Sequence, residues 1–157
     1  MTEVDAAGFN RSILIAVDDS QNAERAVAYV GGLLGGLAGV RVTLLHVIPE
    51  PEEDYFPKLA EKERWLAAYR ERIAAVLARH RAILRDSGFA DEAVDARVRQ
   101  RACPSMAECI LSELQAGGFG TIVVGRQGLS RKEEFLFGSI SSKIVSHARR
   151  CAVWVVA

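Results

Sequence analysis

Gly125-Arg126-Gln127-Gly128, separated by nine residues from Gly138-Ser139, is the part of this sequence whose residue types and spacing best fit a chemical task. It follows directly on the apolar run Thr121-Ile122-Val123-Val124, so a strand leads into a glycine-hinged loop that closes at the start of a helix. Glycine has no Cβ to hold a ligand away from the backbone and reaches positive φ without strain. The first N–H groups of the following helix lack internal partners and sit at the positive end of its dipole. Such an arrangement suits an anion, and a phosphate group above all.

The elements around this loop have to place it at the edge of a sheet. Ile13-Leu14-Ile15-Ala16-Val17 is a continuous apolar run that stops at Asp18-Asp19-Ser20, and Val42-Thr43-Leu44-Leu45-His46-Val47 is a second one. Continuous rather than alternating apolarity marks strands covered on both faces, as in a parallel sheet. Ala23, Ala26, Val27 and Val30 recur at helical spacing between them. A proline-broken acidic loop, Pro49 to Asp54, precedes a long helix expected from about Lys58 to Asp86, with Leu66, Tyr69, Ile73, Val76, Leu77, Ile83 and Leu84 on one face. The stripe is compatible with a coiled coil, but it covers few heptads and fits better a helix packed on a sheet. Val94 to Arg99 alternates strictly, as a half-exposed edge strand does. Ser105 and Glu108 form a capping-box pattern at a third helix start, Gly117-Gly118 closes that helix, and Ile140, Ile144 and Ala148 give the fourth its core face. Ala152 to Val156 is the last strand. The order βαβαβαβαβ defines an α/β fold, a five-stranded parallel open sheet, doubly wound with helices on both faces.

The chain of 157 residues suffices for one domain, expected over residues 1–157 with 1–11 frayed, and burying about 70% of its unfolded surface. Twenty basic and twenty acidic residues balance, so bulk charge calls for neither nucleic acid nor a membrane surface. Cys103, Cys109 and Cys151 are odd in number, form no C-x-x-C pair and follow no secretory leader pattern, which points to buried small side chains in a reducing cytoplasm. His46, His80 and His147 are scattered, with no metal-ligand grouping, and His46 sits in an apolar run as a core or site-wall residue. Ala26 to Val40 is uncharged, with Gly31, Gly35 and Gly39 at four-residue spacing, but it is too short to span a bilayer. It reads as a buried helix whose glycines permit close packing and then end it.

With these elements in place, Gly-x2-Gly-x9-Gly-Ser resembles the nucleotide-binding motif of the ATP-binding branch of the universal stress protein family. The similarity runs from about Ser12 to Val156. Ala16-Val17-Asp18 with Ser20 resembles the family's first-strand ending, Leu44-Leu45-His46-Val47 its second-strand signature, and His147-Ala148 before Cys151 its C-terminal ending. Ala152 departs from the pattern, which has proline there. The resemblance implies strand order 3-2-1-4-5 and a ligand site beyond the carboxyl ends of the first and fourth strands, where the order reverses. It implies that Ala16, Val17 and Val47 bound an adenine and that Asp18 lies near ribose or a metal. Gly125, Gly128, Gly138, Ser139 and Ile140 would offer N–H groups to phosphates. Arg126 would reach or cover the pocket, and Ser130, Arg131 and Lys132 would approach the terminal phosphates. Glu133 and Glu134 put opposing charge in the same loop and are expected to face solvent.

The implied function is an ATP-binding, nucleotide-dependent signalling or stress-response module, acting as a homodimer joined along Ala152 to Val156, with Mg²⁺ or Mn²⁺ accompanying the nucleotide at Asp18. The alternatives are a weak ATPase or autophosphorylating enzyme, and an interaction module with an empty pocket. No G-x-x-x-x-G-K-[ST], no dinucleotide fingerprint and no kinase signature occurs, so enzymatic chemistry is expected to be slow at most. Gly125 to Gly128 also matches the G-x-x-G of an RNA-clamping loop, but that loop joins helices and this one follows a strand.

Overall fold

The computed structural model of the chain describes residues 10–49, 55–101, 103–126 and 139–157. Gly128, Ser130 and Gly138, their neighbours Arg131 to Glu134, and most of the acidic loop after Pro49 lie outside the described residues. The strands are β1 (Ser12–Ala16), β2 (Arg41–Pro49), β3 (Val94–Arg101), β4 (Thr121–Gly125) and β5 (Ala152–Val156). They alternate with α1 (Gln21–Leu34), α2 (Leu59–Asp86), α3 (Met106–Gly117) and α4 (Ser139–His147). All pairings are parallel and the strand order is β3-β2-β1-β4-β5, as expected.

The continuous apolar runs are explained by burial from two sides. Ile13, Ile15, Val17, Val42 and Leu44 pack with Ala23, Ala26, Val27 and Val30 of α1 and with Leu77 and Leu84 of α2. Leu14, Leu45, Val47, Ile122 and Val124 pack on the other face with Ala107, Ile110 and Leu114 of α3 and Ile144 of α4. Successive residues of one strand therefore feed opposite layers. α2 is a sheet-packed helix, and β3 is an edge strand.

Helix ends follow their sequence signals. Ser20 caps α1 by accepting from Ala23 N at 3.1 Å, and Ser105 caps α3 by accepting from Glu108 N at 3.2 Å. The Glu108 carboxylate returns to the Ser105 hydroxyl, so the box closes through side chains. Ser87 ends α2, and Gly118, at φ +61, ends α3.

Two expectations need correction. α1 stops at Leu34, and it is amphipathic rather than buried, for Tyr29 and Leu33 are half exposed. Its glycines do serve packing: a Cβ on Gly31 would stand 2.5 Å from Ser87 Oγ, and one on Gly35 would collide with the Ser87 carbonyl. Cys103 and Cys109 are joined as a disulfide, where small unpaired side chains were expected. The turn from β3 into α3 brings their Cα atoms to 5.8 Å, and the argument from unpaired cysteines to a reducing compartment is left with Cys151 alone. Ala152 in place of proline has a local consequence too, since its N–H donates to Gly120 O at 3.0 Å, a bond proline lacks.

Candidate functional site

The site begins where β1 leaves the sheet. Val17 N donates to Leu45 O at 2.9 Å, the last bond of the β1–β2 ladder. Residues facing a given neighbour alternate along a strand, so Val47 is the next to turn its N–H and C=O toward the side that β1 vacates. The acceptor that would have continued the ladder, Val17 O, is instead 2.7 Å from His46 Nδ1. The following carbonyl, Asp18 O, accepts from Nε2 of the buried His80 at 3.2 Å. Two imidazoles, from β2 and α2, thus pin consecutive carbonyls of the turn. Asp18 Oδ1 accepts from Ser20 N at 2.8 Å, which ties the same turn to the cap of α1.

Beyond this turn lies a cavity of about 320 Å³. The ends of β1, β2 and β4 supply Ala16, Val17, Asp18, His46, Val47, Val124 and Gly125 to its wall. The helices add Asn22 and Ala23 of α1, Tyr69 of α2, Met106 and Ile110 of α3, and Ile140 of α4. It sits at the carboxyl ends of β1 and β4, the switch point of the sheet, where open α/β folds hold ligands. Its size is at the low end of the range of about 300–1,000 Å³ for small-molecule sites, and apolar walls with a few convergent polar groups complete that description.

The polar groups are organised around His46. A carbonyl can only accept, so Nδ1 carries the hydrogen shared with Val17 O. Burial lowers the His46 pKa below its usual 6.5, against the opposing pull of the Val17 bond and the Asp18 charge, while the Arg72 charge lowers it further. The ring is therefore neutral near pH 7, its Nε2 is an acceptor, and the Tyr69 hydroxyl 2.7 Å away is the donor. Burial also raises the Tyr69 pKa, so the phenol keeps its proton. Arg72 lies over the Tyr69 ring, 5.0 Å from its centroid. An aromatic series, Tyr69, Trp65, Phe56 and Tyr55, with centroid spacings of 5.2, 5.7 and 4.9 Å, leads from the cavity to the surface.

Of the residues singled out from the sequence, Ala16, Val17, Asp18, Val47, Gly125 and Ile140 line this one cavity. Arg126 is not part of this lining, and its backbone N–H donates to Val156 O at 2.7 Å in β5. Ser139 opens α4, while Gly128, Ser130 and Gly138 lie outside the described residues. Gly125 has a second reason to be glycine, because a Cβ there would meet Asn22 O at 2.6 Å and Asn22 C at 2.7 Å. Close approach of α1 to β4 requires it, independently of any ligand. Among the described residues no group of three His, Cys, Asp or Glu could hold a metal alone, so a cation at Asp18 would need ligand oxygens. Sequence reasoning took Tyr69 only as a core position and His80 only as a scattered histidine. A helical stripe does not announce which of its turns overhangs the strand ends.

A parallel sheet with this order and a cavity at its switch point define an open, doubly wound α/β protein with a candidate ligand site beyond its strand ends. The profile of the Universal stress protein family matches residues 10–157, and the chain belongs to that family. No protein of curated function matches the sequence. Solved structures agree in fold. The hypothetical protein MJ0577 is 27% identical at a TM-score of 0.72, over 92% of this chain and 94% of its own. A universal stress protein from Archaeoglobus fulgidus in complex with dAMP is 20% identical at 0.59, over 93% and 97%. Another universal stress protein, in complex with cAMP, is 18% identical at 0.64, over 93% and 95%.

Proposed function

We propose that the protein binds an adenine nucleotide, ATP with Mg²⁺ or Mn²⁺, in the cavity at the ends of β1, β2 and β4, and that occupancy rather than turnover is its output. The observation that carries this reading is the cavity itself: apolar walls from Val17, Val47, Val124 and Ile140, with the Val47 backbone facing the side that β1 vacates after its bond to Leu45 O. An N–H next to a C=O matches the ring nitrogen and amino group of adenine. The volume suits a nucleoside, leaving its phosphates to run toward the start of α4, where Gly138, Ser139 and Ile140 are the proposed donors. Asp18, at the mouth, would share a cation with phosphate oxygens. The neighbours solved with dAMP and with cAMP support adenine as the base.

The cytoplasm, where ATP is abundant, is the proposed place of work, and a homodimer the proposed form. β5 is an edge strand with half-buried Trp154, stacked edge-on against half-exposed Tyr29 at 6.1 Å. An apolar edge of this kind calls for a covering partner, and a second copy paired antiparallel would cover it symmetrically. Efficient phosphoryl transfer needs concentrated positive charge and a held nucleophile. The candidate cations, Arg131 and Lys132, stand beside Glu133 and Glu134 in the sequence, which supports slow turnover.

Calorimetric titration with ATP and GTP, together with identification of any copurifying nucleotide, tests the reading. Micromolar or tighter ATP binding, weakened at least tenfold by Gly138→Val, is expected. Absence of adenine-nucleotide binding refutes it, and hydrolysis at about 1–10³ s⁻¹ would replace it with the enzyme alternative.

A further inference from the structure

The bond from Tyr69 to His46 has a direction, and that direction leaves the cavity with a selective group. Val17 O, a pure acceptor, fixes the hydrogen of neutral His46 on Nδ1. Nε2 is then an acceptor and takes the one hydrogen of the Tyr69 hydroxyl at 2.7 Å. The phenol oxygen, on a residue that lines the cavity, has no hydrogen left to give and offers only lone pairs. Arg72 lies over the Tyr69 ring, 5.0 Å from its centroid.

We propose that Tyr69, held as an acceptor by the Val17–His46 chain, reads the 6-position of a bound purine, favouring an amino group and rejecting an oxo group. The inference rests on the adenine-nucleotide reading of the same cavity. An amino group carries two hydrogens, so one can go to the Val47 carbonyl and the other to Tyr69. A 6-oxo purine would set its carbonyl against two acceptors, leaving buried lone pairs facing one another. A site built to receive a hydrogen bond discriminates strongly against a ligand that cannot make it, because the site's own polar groups are left unpartnered. Tyr69 acts here through direct contact with the ligand, and His46 is the positioning residue that sets its polarity.

The reverse polarity defines the condition under which this selectivity fails. Protonated His46 would donate from both nitrogens, turn the phenol hydrogen toward the cavity and make Tyr69 a donor suited to a 6-oxo group. The charged groups facing the ring are Asp18, which favours that protonation, and Arg72, which opposes it together with burial. Preference for the amino purine is therefore strongest at neutral and higher pH and declines on acidification below about 6.5, the usual histidine value that burial lowers further here.

The test uses the full chain and three ligands that share a triphosphate: ATP, inosine triphosphate and purine riboside triphosphate, which has only hydrogen at the 6-position. Titration at pH 7.5 should rank ATP first, with the inosine nucleotide at least tenfold weaker. In Tyr69→Phe the ratio of ATP to purine riboside triphosphate should fall by about tenfold, the worth of one good hydrogen bond. Nitrogen NMR of His46 should show Nδ1 protonated and Nε2 not, with Nε2 shifting in Tyr69→Phe. An unchanged ratio in that variant, or a protonated Nε2 at pH 7.5, overturns the inference and leaves nucleotide binding standing. Failure of all three ligands to bind overturns both. Should Tyr69→Phe fold poorly, equal wild-type affinities for ATP and inosine triphosphate are sufficient to refute the proposal.

Discussion

Gly125→Ala is expected to destabilise the protein by about 2–3 kcal/mol, for a reason that has nothing to do with a ligand. The added methyl would lie 2.6 Å from Asn22 O, 2.7 Å from Asn22 C and 3.1 Å from Ala23 N. All three are backbone atoms, so no rotamer change relieves the clash. Ordinary contact begins near 3.4 Å, so β4 and the first turn of α1 would have to separate by about 0.8 Å. α1 resists such a shift, because Ala26, Val27 and Val30 are fully buried behind it and Ser20 fixes its first turn. Overpacking a rigid contact in this way typically costs about 1–3 kcal/mol, and the backbone character of the contact argues for the upper part of that range. Gly32→Ala is the internal control. It lies in the same helix with nothing within 4 Å of its prospective Cβ, and should stabilise by about 0.5–1 kcal/mol through helix propensity alone. Urea unfolding at equal m-value compares the pair, the melting temperature falling by roughly 4–12 °C in the first variant. A Gly125→Ala protein within 0.5 kcal/mol of the parent would refute the packing argument and return that glycine to a role at the ligand alone.

Further outcomes follow from single features. Ala152 N and Arg126 N fix the face that β5 turns to β4, so Val153 and Val155 direct their N–H groups to the open edge. Val155→Pro should then abolish dimerisation while keeping the fold, and a dimeric variant, or a monomeric wild type at high concentration in sedimentation, would contradict pairing along β5. His46 has a folded-state pKa below its unfolded value, so the unfolded chain binds the extra proton in between. Its contribution is full above about pH 6.5 and is lost as pH falls through that window; a urea midpoint whose acid-side decline is unchanged in His46→Asn would exclude this source. Reduction of Cys103–Cys109 by a dithiol should lower stability by about 2 kcal/mol, as expected for so short a loop. The effect should vanish in Cys109→Ser, and an unshifted unfolding midpoint on reduction would argue against the bond.

The fold was largely legible because its cues are local and periodic. Uncharged runs such as Ile13 to Val17 can only be strands covered on both sides, and Ser20, Ser105 and Gly118 mark helix ends by chemistry that needs no tertiary context. The cavity was legible in its strand-borne part, since the residues after β1, β2 and β4 must meet at the switch point. Its helix-borne part was not. Tyr69, Met106 and Ile110 enter through the lengths and tilts of α2 and α3, which no spacing encodes. The Cys103–Cys109 bond escaped for a similar reason: the β3–α3 turn that brings the pair together depends on where strand pairing ends.

The two histidines show how the site and the fold share one device. A parallel ladder that simply continued past Val17 would spend the Val47 N–H on β1 and close the gap a base needs. Ending the ladder without replacement would leave the buried Val17 carbonyl unpaired, at a cost of about 1–3 kcal/mol. His46 and His80 supply the missing donors from side chains, at 2.7 and 3.2 Å, so β1 can stop short and Val47 stays available. Only a donor that is neutral in the interior can do this without a desolvated charge, and imidazole also carries a second nitrogen to pass polarity onward. At His46 that nitrogen orients Tyr69. At His80 the second nitrogen, Nδ1, is buried without a partner among the described residues, a polar atom that a bound water could satisfy. Replacing His80 by Leu removes the donor to Asp18 O while filling similar volume. The turn should loosen, amide exchange at Asp19 and Ser20 should accelerate, and nucleotide affinity should fall although His80 does not line the cavity. Unchanged exchange at those amides would mean that the carbonyl is satisfied otherwise and that the imidazole is mere packing.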